Sequence, residues 1–168
     1  MADDRVHQTV SRKIAAPAEE IFKVLTDPAR HLDIDGSGLL KDASGNPTIS
    51  GIGDKFAIRM YNPLTAHYET VSEVVEYERD RRLAWEPTII AVTYPEDETN
   101  VGVHLGQRWT YALEPIDSGT TLVKEIYSID CTKMPEWLRV QLRNGEHFME
   151  FMTKTLENLE RQVISALR

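Results

Sequence analysis

The stretch from Trp109 to Tyr127 constrains this chain more than any other. It holds two alternating runs joined by turn residues, with one ionisable side chain among the apolar ones. Trp109, Tyr111 and Leu113 alternate with Arg108, Thr110, Ala112 and Glu114, the period of a half-buried strand. Thr121, Val123, Glu125 and Tyr127 share one side of the next run, and Pro115, Asp117, Ser118 and Gly119 supply the turn chemistry between them. The expected structure is a β-hairpin. Simple pairing sets Trp109 opposite Glu125 and Gln107 opposite Tyr127. A carboxyl on an apolar strand face is costly to bury, so Glu125 either hydrogen-bonds within the core or lines a cavity.

The same alternation runs through the middle of the chain. Phe56, Ile58 and Met60 share a face; Val71, Glu73, Val75 and Tyr77 share another; Leu83 and Trp85 follow the tight connection Arg79-Asp80-Arg81. A three-residue loop there pairs Tyr77 with Leu83 and Val75 with Trp85. Val103, Leu105, Gln107, Trp109 and Tyr111 continue the apolar face, after an acidic loop from Pro95 to Asn100. Before these strands, Val6 to Ile14 reads as a first strand and Ala15 to Thr26 as a helix. Pro17 sits at its first position, Glu19 and Glu20 in its first turn, and Asp27-Pro28 at its end. A short helical turn follows through Leu32, then a loop from Asp33 to Gly38. After the sheet come a helix over Pro135 to Arg143 and a long one from Glu146 to Leu167, capped by Asn144. Phe148, Met152, Thr155, Leu156, Leu159 and Val163 form the stripe of the last helix. Glu150–Lys154 and Glu157–Arg161 stand at i,i+4 spacing on its other side.

This order predicts an α+β domain spanning 1–168, in which a curved antiparallel sheet of about six or seven strands wraps a long C-terminal helix. A strongly curved sheet gripping a helix leaves a gap, and the gap becomes a cavity.

Composition narrows the function. A net charge of −8 disfavours nucleic acid and anionic lipid surfaces. No run of about 18 apolar residues is present, so membrane insertion is not expected. The N-terminal Met-Ala-Asp-Asp-Arg-Val-His lacks the regions of a signal peptide, and the single Cys131 cannot form an internal disulfide. These features predict a cytoplasmic protein, monomer or homodimer.

Several motifs together resemble the SRPBCC superfamily, the helix-grip fold of START-like lipid-transfer domains, polyketide cyclases and the birch-pollen allergen. They are Ile14-Ala15-Ala16-Pro17-Ala18-Glu19-Glu20-Ile21-Phe22; Asp27-Pro28 with His31 and Asp35-Gly36-Ser37-Gly38; Gly53-Asp54 with Phe56; Val74 to Glu78 with Arg82 to Glu86; and Gly106, Trp109, Tyr111, Leu113, Pro115 with Gly119-Thr120-Thr121. The loop after the first helix resembles that of a bacterial subgroup. The single apolar face with its isolated polar groups predicts that this cavity between sheet and last helix has Phe56, Ile58, Trp85, Trp109, Tyr111, Glu125, Tyr127, Phe148 and Met152 as its wall. The expected partner is a small hydrophobic molecule, with no cofactor. Two alternatives follow from the same resemblance. One is a polyketide cyclase or dehydrase type of enzyme, with Glu125 and the tyrosines as acid–base groups. The other is an interaction module like the Hsp90-activator homology domains, which predicts a solid core.

Glu73 and Gln107 fall on the inward face by alternation, although a one-residue bulge turns Glu73 outward. His31, Asp33 and Asp35 have no metal-ligand spacing, and a loop or entrance cap is the expected role; no metal is expected. Cys131 follows a strand end with no base beside it, so it is not expected to be a nucleophile. Neither Gly36-Ser37-Gly38 nor Gly51-Ile52-Gly53 continues as a phosphate loop.

Overall fold

Strands form where apolar side chains alternate, and the sheet they build has the order β1-β7-β6-β5-β4-β3-β2, every pair antiparallel. The computed structural model describes residues 5–63, 66–92, 101–102 and 104–168. Its elements are β1 (Arg5–Ile14), α1 (Ala18–Leu25), a 3₁₀ turn (Pro28–Arg30), α2 (His31–Ile34), β2 (Leu40–Asp42), β3 (Lys55–Asn62), β4 (Ala66–Glu78), β5 (Arg82–Val92), β6 (Gln107–Asp117), β7 (Thr120–Asp130), α3 (Glu136–Gln141), a second 3₁₀ segment (Arg143–Phe148) and α4 (Met149–Ala166). The first strand pairs with the last, Val10 against Glu125, and forms one edge of the open sheet, with β2 at the other. The acidic stretch from Pro95 to Asn100 lies outside the described residues.

Helix α4 presents Met152, Thr155, Leu156, Leu159 and Val163 to the sheet, the stripe expected from its 3.6-residue period. Leu156, Leu159 and Val163 join Ile14, Ile21, Phe22, Leu25, Phe56, Leu83 and Val123 in one core, the helix-grip arrangement, and Met152 packs in a second with Tyr127 and Ile129. Burying each large apolar side chain contributes about 1.5–3 kcal/mol. The expected pair Glu157–Arg161 does not form: Arg161 turns to the Asn158 carboxamide instead.

Boundaries and register differ from the expectations in ways with local causes. Helix α1 starts at Ala18; Pro17 is its cap residue, with the extended ψ of 147°. The last helix starts at Met149, after a 3₁₀ segment (Arg143–Phe148) in which Asn144 (φ 52°) and Gly145 (φ 89°) are non-helical. Asn144 is therefore not a side-chain cap; its carbonyl accepts from Gln8 at 3.2 Å. Gly145 is required here, since a Cβ would lie 2.4 Å from the Tyr127 ring. Strand β2, not foreseen, adds an edge beside β3.

In the β4–β5 hairpin Tyr77 faces Leu83 as expected, but Val74 rather than Val75 faces Trp85, because a bulge lies between Val74 and Glu76. The bulge turns Glu73 outward into solvent and brings Ser72 and Val74 inward. In the β6–β7 hairpin pairing continues to Asp117↔Thr120, leaving Ser118-Gly119 as the turn, and a bulge follows between Pro115 and Asp117. Trp109 consequently faces Tyr127, Tyr111 faces Glu125, and Gln107 faces Ile129, each two residues from the simple pairing.

The loop after α2 is clamped to α4. The Gly36 N–H donates to Thr155 Oγ1 at 2.9 Å, and Asn158 Nδ2 donates to the Ile34 carbonyl at 3.2 Å. A Cβ at Gly36 would lie 2.2 Å from the Phe151 carbonyl oxygen, a backbone atom that cannot swing aside. Gly36→Ala is therefore expected to lower the urea-unfolding free energy by about 2 kcal/mol or more. Gly51→Ala, which meets nothing within 4 Å, is expected to stay within about 0.5 kcal/mol of the parent.

Candidate functional site

Cross-strand register sets two rows on the concave face. Val74, Trp85, Trp109, Tyr127 and Gln8 form one, and Leu83, Tyr111, Glu125 and Val10 the next. The first row carries the large rings because each alternating strand places its aromatic residue at the same level.

The wall expected from the sequence gathers into two clusters. In one, Phe56 meets Trp85 edge-on at 5.4 Å, Trp85 meets Tyr111 at 5.7 Å, and Ile58 packs in the same core. In the other, Tyr127 meets Trp109 at 4.7 Å and Phe148 at 5.0 Å, with Met152 beneath. Phe56, Tyr111, Tyr127 and Met152 expose 4% or less, whereas Trp85, Trp109 and Phe148 are half-buried. These rings close on one another. Two surface concavities lie elsewhere: about 320 Å³ beside Met60, Tyr68 and Val92 at the far end of the sheet, and about 400 Å³ on its outer face. Glu73 lines the latter beside Glu86, whose carboxylate Arg108 (2.7 Å) and His104 (2.7 Å) hold. Burial raises the Glu86 pKa, but the Arg108 hydrogen bond and charge, with His104 and Arg5, outweigh it and leave the carboxyl below its ordinary value.

Glu125 stands in the second row, only 3% exposed. The Tyr111 hydroxyl hydrogen-bonds its carboxyl, and Oε2 has no partner. Burial above all raises the carboxyl, against the downward pull of the Tyr111 hydrogen bond and with a further upward push from the Asp35 carboxylate, to about 8 in all. At neutral pH the group is mostly protonated. Burial likewise raises Tyr111 well above an ordinary phenol, with Glu125 adding to the shift. The Tyr127 hydroxyl approaches Gln107 without hydrogen-bond geometry and is also raised by burial.

Two members of this neighbourhood escape a local reading. His31, expected in a loop or at an entrance, lies in α2 with its ring in the core. It stacks on Trp85 at 5.4 Å, meets Phe56 edge-on at 5.6 Å and donates from Nε2 to the Leu25 carbonyl at 2.8 Å. Burial lowers its pKa, outweighing the Leu25 bond and Asp27, so the imidazole is neutral. The signal was Ile34 three residues on: both bury on one side of a short helix. Asp35 accepts from Ser37 N at 2.9 Å, Ser37 Oγ at 2.6 Å and Leu40 N at 3.2 Å, which hold its charge near Glu125.

Asp33 is exposed, so His31, Asp33 and Asp35 do not converge. Among the described residues no three His, Cys, Asp or Glu side chains are grouped to hold a metal ion. Cys131 has a cation rather than a base beside it, Arg139 Nη1 at 3.6 Å. Among the described residues no helix is long and apolar enough to cross a membrane.

Known proteins share both the pattern and the fold. The chain is 28% identical over 123 residues to "Uncharacterized protein Rv0088" of Mycobacterium tuberculosis, an alignment covering 73% of this chain and 46% of that protein. The chain thus spans about half the length of the curated relatives it matches. The aromatase/cyclase Zhui from Streptomyces sp. R1128 superposes with a TM-score of 0.64 at 14% identity, covering 98% of this chain and 96% of that one. A norcoclaurine synthase of Thalictrum gives 0.62 at 14% identity, covering 98% and 97%. Protein Ms6760 of Mycobacterium smegmatis gives 0.63 at 15%, covering 98% and 95%. At such identities the likeness concerns the fold alone. The family model described as "Polyketide cyclase / dehydrase and lipid transport" matches residues 5–163, and the chain belongs to that family.

Proposed function

We propose that the protein binds a small, largely apolar molecule between the concave face of the sheet and α4, with the Glu125 carboxyl as its polar anchor. The observation that carries this reading is Oε2 of Glu125: a buried polar atom without a partner, on the sheet face that carries Trp85, Trp109, Tyr111 and Tyr127. A fold that buries such an atom forgoes about 1–3 kcal/mol unless something completes it. The half-buried rings of Trp85, Trp109 and Phe148 are the ones a guest displaces on entry. Family membership supports the same reading, since its description joins lipid transport to cyclase chemistry.

Titration with Nile red, an uncharged dye that brightens in apolar surroundings, tests this. Saturable binding is expected, weakened tenfold or more in Trp109→Ala, which removes a ring from the wall. Absence of saturable binding, or equal binding by that variant, contradicts the reading.

A second reading is an acid–base enzyme of the cyclase or dehydrase type, favoured by the same carboxyl. A group poised near neutrality both gives and takes a proton efficiently. In D₂O, exchange of the methyl protons of 2-acetylnaphthalene would then be faster with the parent protein. It would rise with pH toward a plateau past about 8, and fall to the solvent rate in Glu125→Gln. Equal exchange with parent and variant, followed by NMR, removes this reading and leaves the binding one.

A further inference from the structure

We infer that the guest is an uncharged molecule presenting a hydrogen-bond-accepting oxygen, such as an aryl or alkyl ketone, and that carboxylates, phosphates and amines are rejected. This rests on the reading of the concave face as a binding site and adds the charge and polarity of what fits it.

The argument comes from the charges that face Glu125. From β6 comes the neutral phenol of Tyr111, from the loop after α2 the carboxylate of Asp35, and from α2 the neutral ring of His31, which reaches the same rings through Trp85. The stripe of α4 is Met152, Thr155, Leu156, Leu159 and Val163, and the buried side of α1 is apolar, so neither adds a titratable group. Among the described residues no lysine or arginine is buried. Arg12 turns its guanidinium to Glu160 at 3.1 Å, with 38% of its side chain exposed.

Beside Glu125 an anion would find low dielectric, no cation acting on the carboxyl and the Asp35 carboxylate nearby. Such a charge stays in water. An ammonium would have to ionise Glu125 and be buried beside it. Desolvating both ions costs several kcal/mol each, which their attraction recovers only with full hydrogen bonding. A neutral carbonyl needs neither. With the Tyr111 hydroxyl donating to one carboxyl oxygen, the proton on Oε2 is an unused donor, and a ketone oxygen accepts it without any change of charge.

Equilibrium dialysis at pH 6.5 with four naphthalenes of one skeleton tests the inference: 2-acetylnaphthalene, 2-naphthoate, 2-(2-naphthyl)ethylamine and 2-ethylnaphthalene. The ketone is expected to bind at least tenfold more tightly than each of the others, and to lose its advantage over 2-ethylnaphthalene in Glu125→Leu. The comparison among ligands in the parent protein stands even if that variant fails to fold. A preference for the naphthoate or the amine, or equal binding of the ketone and 2-ethylnaphthalene, overturns this inference and leaves the binding site itself standing. Binding of none of the four overturns both.

Discussion

A carboxyl is tolerated inside a protein only when it is uncharged or fully satisfied, and Glu125 is half of each. Burial keeps its proton on and Tyr111 holds it, yet Oε2 has no partner. Other features of the site depend on that choice. With Glu125 protonated, the neutral His31 and the raised tyrosines beside it make an interior without net charge, in which Trp85, Trp109 and Phe148 can meet other rings instead of ions. Were Glu125 ionised, the Asp35 carboxylate would oppose it, and the buried charge would call for water or a cation beside it.

The scaffold fixes this carboxyl from two directions. Pairing with β1 and β6 on either side of β7 sets the backbone of Glu125, and the direct cross-strand contact with Tyr111 sets its partner. From above, α4 clamps the loop that carries Asp35, through Gly36 on Thr155 and Ile34 on Asn158. Gly36 has room for a hydrogen atom and nothing more, so a single missing side chain brings α2, the loop and α4 to one fixed separation. The position of the Asp35 charge, and with it part of the proton affinity of Glu125, is inherited from that contact.

The fold was legible because its signals are periodic. Alternation from Phe56 to Tyr127 spells consecutive strands, and the stripe from Phe148 to Val163 spells the helix they grip. That Trp85, Trp109, Tyr111 and Tyr127 share one face of the sheet was legible for the same reason. Register was less so. The bulged Val75 and the two-residue turn at Ser118-Gly119 each displace pairing, and nothing in those residue types distinguishes them from a plain hairpin. His31 and Gly36 were hidden for another reason. Their roles arise from contacts with Trp85 and Thr155, distant in sequence, and the one local sign, Ile34 three residues after His31, shows a buried side without showing what it meets. The packing of the rings against each other was equally out of reach, since a sequence lists the wall but not the distance across it.

The central claim, that Glu125 sits buried and protonated, is tested most directly by urea denaturation of the parent and Glu125→Gln from pH 5 to pH 9. A carboxyl raised from 4.5 to about 8 on folding binds its proton in the folded state while the unfolded chain releases it. Parental stability therefore declines with rising pH through that window, by about 1.4 kcal/mol per pH unit, and levels off above it. Glutamine does not titrate, so the stability of Glu125→Gln relative to the parent should grow by about 3 kcal/mol between pH 5.5 and 8. Parallel stability curves would show a carboxyl that ionises alike in both states, and would contradict the account.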